Sequence, residues 1–264
     1  MLQGAASHNV KSPGTPTSAP GNKCSIEWFA VALLFIGALA LRVLAAWLEP
    51  TLSRDSILYI SYAEEWSGSW RTHQFRLVLP LWPGFLAICH ELGMSTVWAG
   101  RIANLLMGAA IPLLFLKSGT QLFRNRMLAW FAAILAATHP MLVKHSISIQ
   151  RETMYLFFLM LCFIAVVAGD GSRKFRHFAV GGAMAALTVL TRAEGVEILL
   201  IVAGYLAYSG ICGRFSWGAV GKMAAAFFGT ALVVFILISW IAGFNVIDYV
   251  DLIGRYWITA GGTR

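Results

Sequence analysis

Charge is scarce in this sequence. Asp, Glu, Lys and Arg make up 12% of the 264 residues, against 58% hydrophobic residues. A soluble domain of this length carries about a quarter of its residues charged to cover its surface, so a water-exposed globule is excluded. Cysteine is scarce as well. Cys24, Cys89, Cys162 and Cys212 form no C-x-x-C pair, so neither a zinc site nor a disulfide framework is supported, and they read as small apolar residues. Acidic residues number 12 against 20 Lys and Arg, a net charge of +8. Membrane proteins collect such an excess in their cytoplasmic loops, so no nucleic-acid partner is expected. No internal repeat is visible, which argues against the duplicated architecture common among transporters.

What the chain does have is long apolar blocks and a mean hydropathy of +0.71. Blocks run at 28–48, 98–117, 127–143, 153–169, 178–191, 198–213 and 223–247, and each is read as a membrane span. The expected fold is therefore all-α, a polytopic bundle of about seven transmembrane helices. Residues 1–25 form a polar tail rich in Ser, Pro and Gly, expected to be disordered and cytoplasmic. The first block is of span length and is read as a retained anchor rather than a cleaved signal peptide. Residues 26–243 form the membrane domain, with a first outer loop at 49–97, and 244–264 form a polar outer segment.

The segment 77–89 is short and carries Pro80 and Pro83. If it crossed, two of the most basic loops would face outward, against the positive-inside tendency. It is therefore expected to be an interfacial helix with Trp82 and Phe85 as lipid anchors. With the N-terminus cytoplasmic, the loops holding Arg124 and Arg126, Arg173, Lys174 and Arg176, and Arg214 and Lys222 all face inward. All the acidic residues except Glu27 and Asp170 then lie on the outer face, together with several arginines. The block 178–191 is too short to cross alone and is expected to continue as helix into Thr191–Glu197. That would bring Arg192 and Glu194 to the membrane boundary, where ionisable groups are functional candidates.

Three outer constellations carry chemistry. After the first span, Ser53 is a candidate N-cap, and helical spacing puts Asp55, Tyr59 and Tyr62 on one face. The plain alternative is a surface helix whose Asp favours the N-terminal dipole. In the next loop, Arg151 beside Glu152 is either an interfacial anchor pair or a phosphate-binding arginine oriented by its neighbour. His139 and His145 have no metal-ligand spacing. The third constellation is Thr191-Arg192-Ala193-Glu194-Gly195. Arg101, opening the second span, belongs to the same face, either as a site residue or as a snorkelling arginine. Carboxylates and arginines at a lipid–water boundary suit reaction of a lipid-linked phosphate, with arginines holding the phosphate and a carboxylate taking a proton.

The order of these motifs resembles a known family. It comprises Asp55 after the first span, a Pro-containing helix ending near Gly93-Met94-Ser95, R-x-x-N from Arg101 to Asn104, and His139-Pro140 closing the third span. R-E-x-x-Y from Arg151 to Tyr155 and L-T-R-x-E-G ending at Gly195 complete it. Over roughly 28–213 the chain resembles the membrane-embedded GT-C glycosyltransferases. It is most similar to the bacterial branch related to dolichyl-phosphate-mannose–protein mannosyltransferases and aminoarabinose lipid A transferases, including RgtA/B/C/D-like domains.

The resemblance implies transfer of a sugar from a polyprenyl-phosphate carrier to a glycan, lipid or protein acceptor. The reaction takes place on the periplasmic or lumenal side of the membrane, here the bacterial inner membrane. It implies Asp55 as the essential first-loop carboxylate, and Glu152, with Glu194 behind it, as support for the donor phosphate. In some relatives a divalent cation assists there. Arg151 and Arg192 fit the phosphate contacts, with Tyr59 and Arg101 as further substrate-binding candidates. Many relatives carry Asp-Glu where this chain has Asp55-Ser56, and relatives generally have more spans and often a soluble C-terminal domain. The chain is therefore expected to be a truncated product, a fragment or half of a split enzyme. The alternatives are a non-catalytic membrane relative or subunit and, behind it, a transporter or lipid flippase.

Overall fold

The computed structural model describes residues 21–67, 79–123 and 125–243. Residues 1–20 of the expected tail and the polar segment 244–264, with Arg124 and 68–78, lie outside these residues, as do the side chains of 21–26, while residues 21–25, expected in the tail, begin the first helix. Among the described residues there is no strand. The helices are α1 (Gly21–Leu48), α2 (Arg54–Ser67), α3 (Leu81–Glu91), α4 (Thr96–Phe123), α5 (Arg126–Thr138), α6 (Pro140–Ile147), α7 (Glu152–Ser172), α8 (Phe175–Thr191), α9 (Val196–Ile211) and α10 (Trp217–Ile241). A single 3-10 turn, Ala193–Gly195, joins α8 to α9.

Five segments have the length and apolarity to cross a membrane, and the pair α5–α6 makes a sixth, bent by 50° at Pro140. The seventh expected span is α8, whose 17 residues give about 26 Å of helix. It does not gain length by running through Arg192, as the sequence reading required. The helix starts earlier, at Phe175, and stops at Thr191, where Arg192 adopts extended angles (φ −145°, ψ 143°). The charges after it therefore sit in a turn rather than on a continued helix.

The bundle is an integral-membrane design. Trp28, Phe131, Leu200 and Trp240 point outward, each more than half exposed, as lipid-facing residues do. The inside is filled by small residues, which let helices approach closely where no hydrophobic gain over lipid drives them together. On α4, Gly119 lies against Ala129 of α5; a Cβ there would be 2.9 Å from the Ala129 Cα. On α8, a Cβ at Gly182 would stand 2.0 Å from the Phe227 carbonyl oxygen of α10. Around these contacts Cys162, Phe178, Ala185, Val202, Leu206 and Phe227 form the core of the α7–α10 half.

The first loop folds back as an α2–α3 hairpin onto the ends of α4, α7 and α8. Its core joins Tyr59, Ala63, Trp66, Trp82 and Leu86 to Ala99, Ile149, Met154 and Val189. With 11 residues α3 does not span. Trp82, however, is no lipid anchor: it is fully buried and stacks on Phe85 (centroids 5.8 Å apart) inside this core. Its ring fills the space that α2 and α3 enclose, and membrane-surface patterning alone does not show that. The turn into α4 is a Schellman motif. Met94 N–H bonds the Cys89 carbonyl (3.0 Å), Gly93 N–H bonds the His90 carbonyl (2.9 Å), and Gly93 takes the left-handed φ of +82° that a side chain resists.

The two ends of the bundle differ in charge, as the sequence suggested. At one end Glu27 pairs with Arg126, and Asp170 pairs with Arg214 at 3.1 Å. These are the two acids that the sequence reading assigned to the basic side. Gly182→Ala should force α8 away from α10 and destabilise the bundle by about 1–3 kcal/mol. Gly229→Ala, whose Cβ would meet nothing within 4 Å, should be close to neutral. Thermal unfolding in detergent compares them, and equal midpoints would contradict the packing described.

Candidate functional site

At the other end lie the start of α2, the start of α4, the α6–α7 junction and the α8–α9 turn. Ser53 caps α2 as its sequence suggests, its hydroxyl accepting the Ser56 N–H at 3.1 Å. The stripe that α2 buries is Ser56, Tyr59, Ala63 and Trp66. Asp55 is exposed at the rim of that stripe, and Tyr62 is only half-buried. The expected Asp55–Tyr59–Tyr62 face is thus split: Tyr59 turns into the protein and Asp55 stays in reach of solvent.

The centre of the site is Arg192. Its Nη1 donates to Glu152 Oε1 at 2.7 Å, and its Nη2 and Nε donate to the two oxygens of Glu194 at 2.7 and 3.3 Å. The guanidinium also lies 5.7 Å from the Tyr155 ring centroid, a cation–π geometry. All three charged groups keep about a quarter of their side-chain surface exposed. The turn that delivers Arg192 is closed by Gly195, where a Cβ would come 2.7 Å from the Thr188 carbonyl carbon. The L-T-R-x-E-G motif therefore reads as a helix end, an arginine, and a glycine that lets the chain double back.

Tyr59 draws the other candidates together. Burial pushes its phenol up to about 12, and the charges of Arg151, Glu152, Asp55 and Arg192 all act on it. Asp55, Tyr59, Arg151, Glu152, Arg192 and Glu194 thus form one neighbourhood. Two atoms in it are buried without a hydrogen-bond partner, Glu152 Oε2 and Arg151 Nε. Unsatisfied polar atoms of this kind are costly and mark places where a ligand or water is accommodated. Arg101 lies at the same end, its Nε likewise buried without a partner. Its guanidinium donates to the Pro50 carbonyl, which ties the start of α4 to the exit of α1.

The structure gives the Asn that closes the R-x-x-N motif a positioning role that the sequence did not show. Asn104, fully buried in α4, donates its amide to the carbonyls of Ser148 (2.6 Å) and Gln150 (2.8 Å). Gln150 in turn donates to Ser53 Oγ at 3.2 Å and contacts His145 Nδ1 at 3.2 Å. Through these bonds α4 fixes the strand-like segment before Arg151, and that segment holds the cap of the helix carrying Asp55. The sequence signals were the R-x-x-N motif and an Asn inside an apolar span, a residue that membrane helices keep for hydrogen bonding across to neighbours.

No group of three or more His, Cys, Asp or Glu gathers in metal-ligating geometry among the described residues. Glu152 and Glu194 are bridged by Arg192. Directly beside the α8–α9 turn opens an apolar groove of about 400 Å³ between α8, α9 and α10, lined by Val189, Val196, Leu199, Phe228, Ala231 and Leu232.

A family model described as dolichyl-phosphate-mannose-protein mannosyltransferase matches residues 79–241, more than half of the chain. Among curated proteins, none matches.

The Tyr59 environment gives a direct check. A phenol is neutral when protonated, so a folded value of about 12 against the ordinary 10.0 means the folded state holds this proton more tightly. The stability this contributes is complete below about pH 10 and is lost as pH rises through about 12. Subtracting the tyrosinate absorbance titration of Tyr59→Phe from that of the wild type should leave one transition near 12. A transition near 10 would contradict the buried placement.

Proposed function

The chain belongs to the dolichyl-phosphate-mannose-protein mannosyltransferase family and is a membrane glycosyltransferase of the GT-C type; from that premise we propose that it moves a sugar from a polyprenyl-phosphate carrier to a glycan, lipid or protein acceptor. The observation that carries this reading is Arg192, held between Glu152 and Glu194 in the turn whose flanking residues Val189 and Val196 line the apolar groove. The groove takes the apolar chain of the donor, and the guanidiniums take its phosphate. In this topology the N-terminus is cytoplasmic and the site opens on the periplasmic or lumenal side.

Asp55 is the proposed base. It is exposed at the rim of α2, where an acceptor hydroxyl can approach, yet its charge reaches the Tyr59 hydroxyl beside Arg151 and Glu152. In the proposed step Asp55 takes the proton of the acceptor hydroxyl. The acceptor oxygen bonds the anomeric carbon, and the bond from that carbon to the phosphate oxygen breaks with inversion. The phosphate stays on the carrier, and its developing charge is met by Arg192 and Arg151. Glu152 and Glu194 hold Arg192 in place, and Glu152 Oε2, buried and unpaired, is available to a sugar hydroxyl. Tyr59, protonated at any working pH, remains a hydrogen-bond donor.

The second reading is a non-catalytic relative that keeps the fold. It is favoured by Ser56, which stands where many relatives have a second acid and is fully buried with its hydroxyl 2.8 Å from Ser53 Oγ. Asp55→Asn decides between the readings. The variant should insert and unfold like the wild type while sugar transfer from a polyprenyl-phosphate donor falls about 100-fold or more. Normal transfer by the variant, or no transfer by the purified wild type, would refute the catalytic assignment.

A further inference from the structure

Arg42 lies within the apolar stretch Glu27–Leu48 of α1 and is wholly enclosed by protein. It does not snorkel to a surface, and it forms no ion pair among the described residues. Such a cation is expensive at that depth and calls for a specific partner. Its Nη1 donates to the carbonyl of Ala38 in its own helix (3.0 Å) and to that of Ala137 (3.1 Å). Ala137 is in the last turn of α5, where Pro140 opens the 50° break before α6. Such a break leaves the last carbonyls of α5 without intrahelical donors, and no water is available in hydrocarbon to replace them. A guanidinium at that point supplies a donor and also complements the negative end of the helix dipole.

The site is built around the arginine. Gly108 of α4 leaves the room it fills: a Cβ there would stand 2.9 Å from Arg42 Nε and 2.4 Å from the Cβ of Ser146 in α6. Arg42 is thus wedged between α1, α4 and the end of α5, with Ser146 near the end of α6 against the same glycine. Its Nε and Nη2 are buried without partners, so its placement costs free energy that the bond to Ala137 and the packing offset. From the break, α6 runs directly to the Ser148–Gln150 segment clamped by Asn104, and then to Arg151 and Glu152.

We infer that Arg42 is a positioning residue for sugar transfer: it caps α5 inside the membrane, fixes the α5–α6 break, and so aims α6 to deliver Arg151 and Glu152 to Arg192. The catalytic half of this inference rests on the proposed function; the geometric half does not. The test uses nitroxide labels at Phe131→Cys on α5 and Met141→Cys on α6, both exposed positions, in a chain whose four native cysteines are replaced. Arg42→Met should shift or broaden the label distance and lower kcat for sugar transfer about 100-fold, the scale expected of a misaligned site. Adding Pro140→Ala restores a backbone donor at the break. The double variant should regain thermal stability and a single narrow distance, that of a continuous helix, while transfer stays lost.

A merely structural arginine would let transfer recover together with the fold. An unchanged distance distribution in Arg42→Met overturns the inference, and so does a shifted distribution with unchanged kcat, or full transfer by the double variant. If the wild type itself transfers no sugar, the proposed function fails. The distance measurement still decides whether Arg42 holds the break.

Discussion

One guanidinium carries much of the organisation at the site end of this bundle. Arg192 bonds Glu152 from α7 and Glu194 from the turn after α8. Two carboxylates brought this close would repel each other without a cation between them, at a boundary where water screens little. With it, the two helix connections share one charged junction, and Tyr155 beneath adds a ring face to the same cation. The junction is not saturated. Glu152 still has a buried oxygen without a partner, and Arg151 beside it has a buried Nε in the same condition. A ligand entering here would meet the Arg192 guanidinium already held by two carboxylates, so less ordering would remain to be done on binding.

The rest of the bundle is arranged around the requirement that hydrocarbon imposes on every backbone polar group. At three places among the described residues the chain departs from helix where side chains supply donors or a small residue lets it turn tightly. At the α5–α6 break the donor is Arg42. Before α7 it is Asn104, which bonds two carbonyls of the 148–150 segment. At the α8–α9 turn the device is steric: Gly195 lies against the backbone of Thr188. The last two of these departures lead directly into residues of the candidate site. Irregular backbone at depth is the usual setting for sites in membrane proteins, because only there do polar groups face inward from several helices at once.

Much of this was legible in the sequence, and the reason is the strength of the membrane signal. Apolar blocks gave the helices, and the separation of acids from basic loops matched the pairing of Glu27 with Arg126 and Asp170 with Arg214. The Arg192–Glu194 turn stood out because its charges followed a block too short to span. What the sequence did not show was which partner each group would take. Trp82 looked like a surface anchor because aromatic residues beside prolines are common at interfaces, but the α2–α3 hairpin encloses it. Arg101 had the position of a site residue, yet its donor goes to Pro50. Arg42 interrupts the first apolar block, but its acceptor lies 95 residues away in the chain. Contacts that distant leave no periodic trace.

The central claim is that the Arg192 junction and the groove beside it hold a lipid-linked sugar phosphate. Equilibrium binding of a polyprenyl-phosphate sugar to the purified chain in nanodiscs, wild type against Arg192→Gln, tests it most directly. The account predicts saturable binding by the wild type and a loss of about 10-fold or more in the variant, as removal of a charge-assisted phosphate contact implies. Equal affinity in the two proteins, or no binding by the wild type, would contradict it.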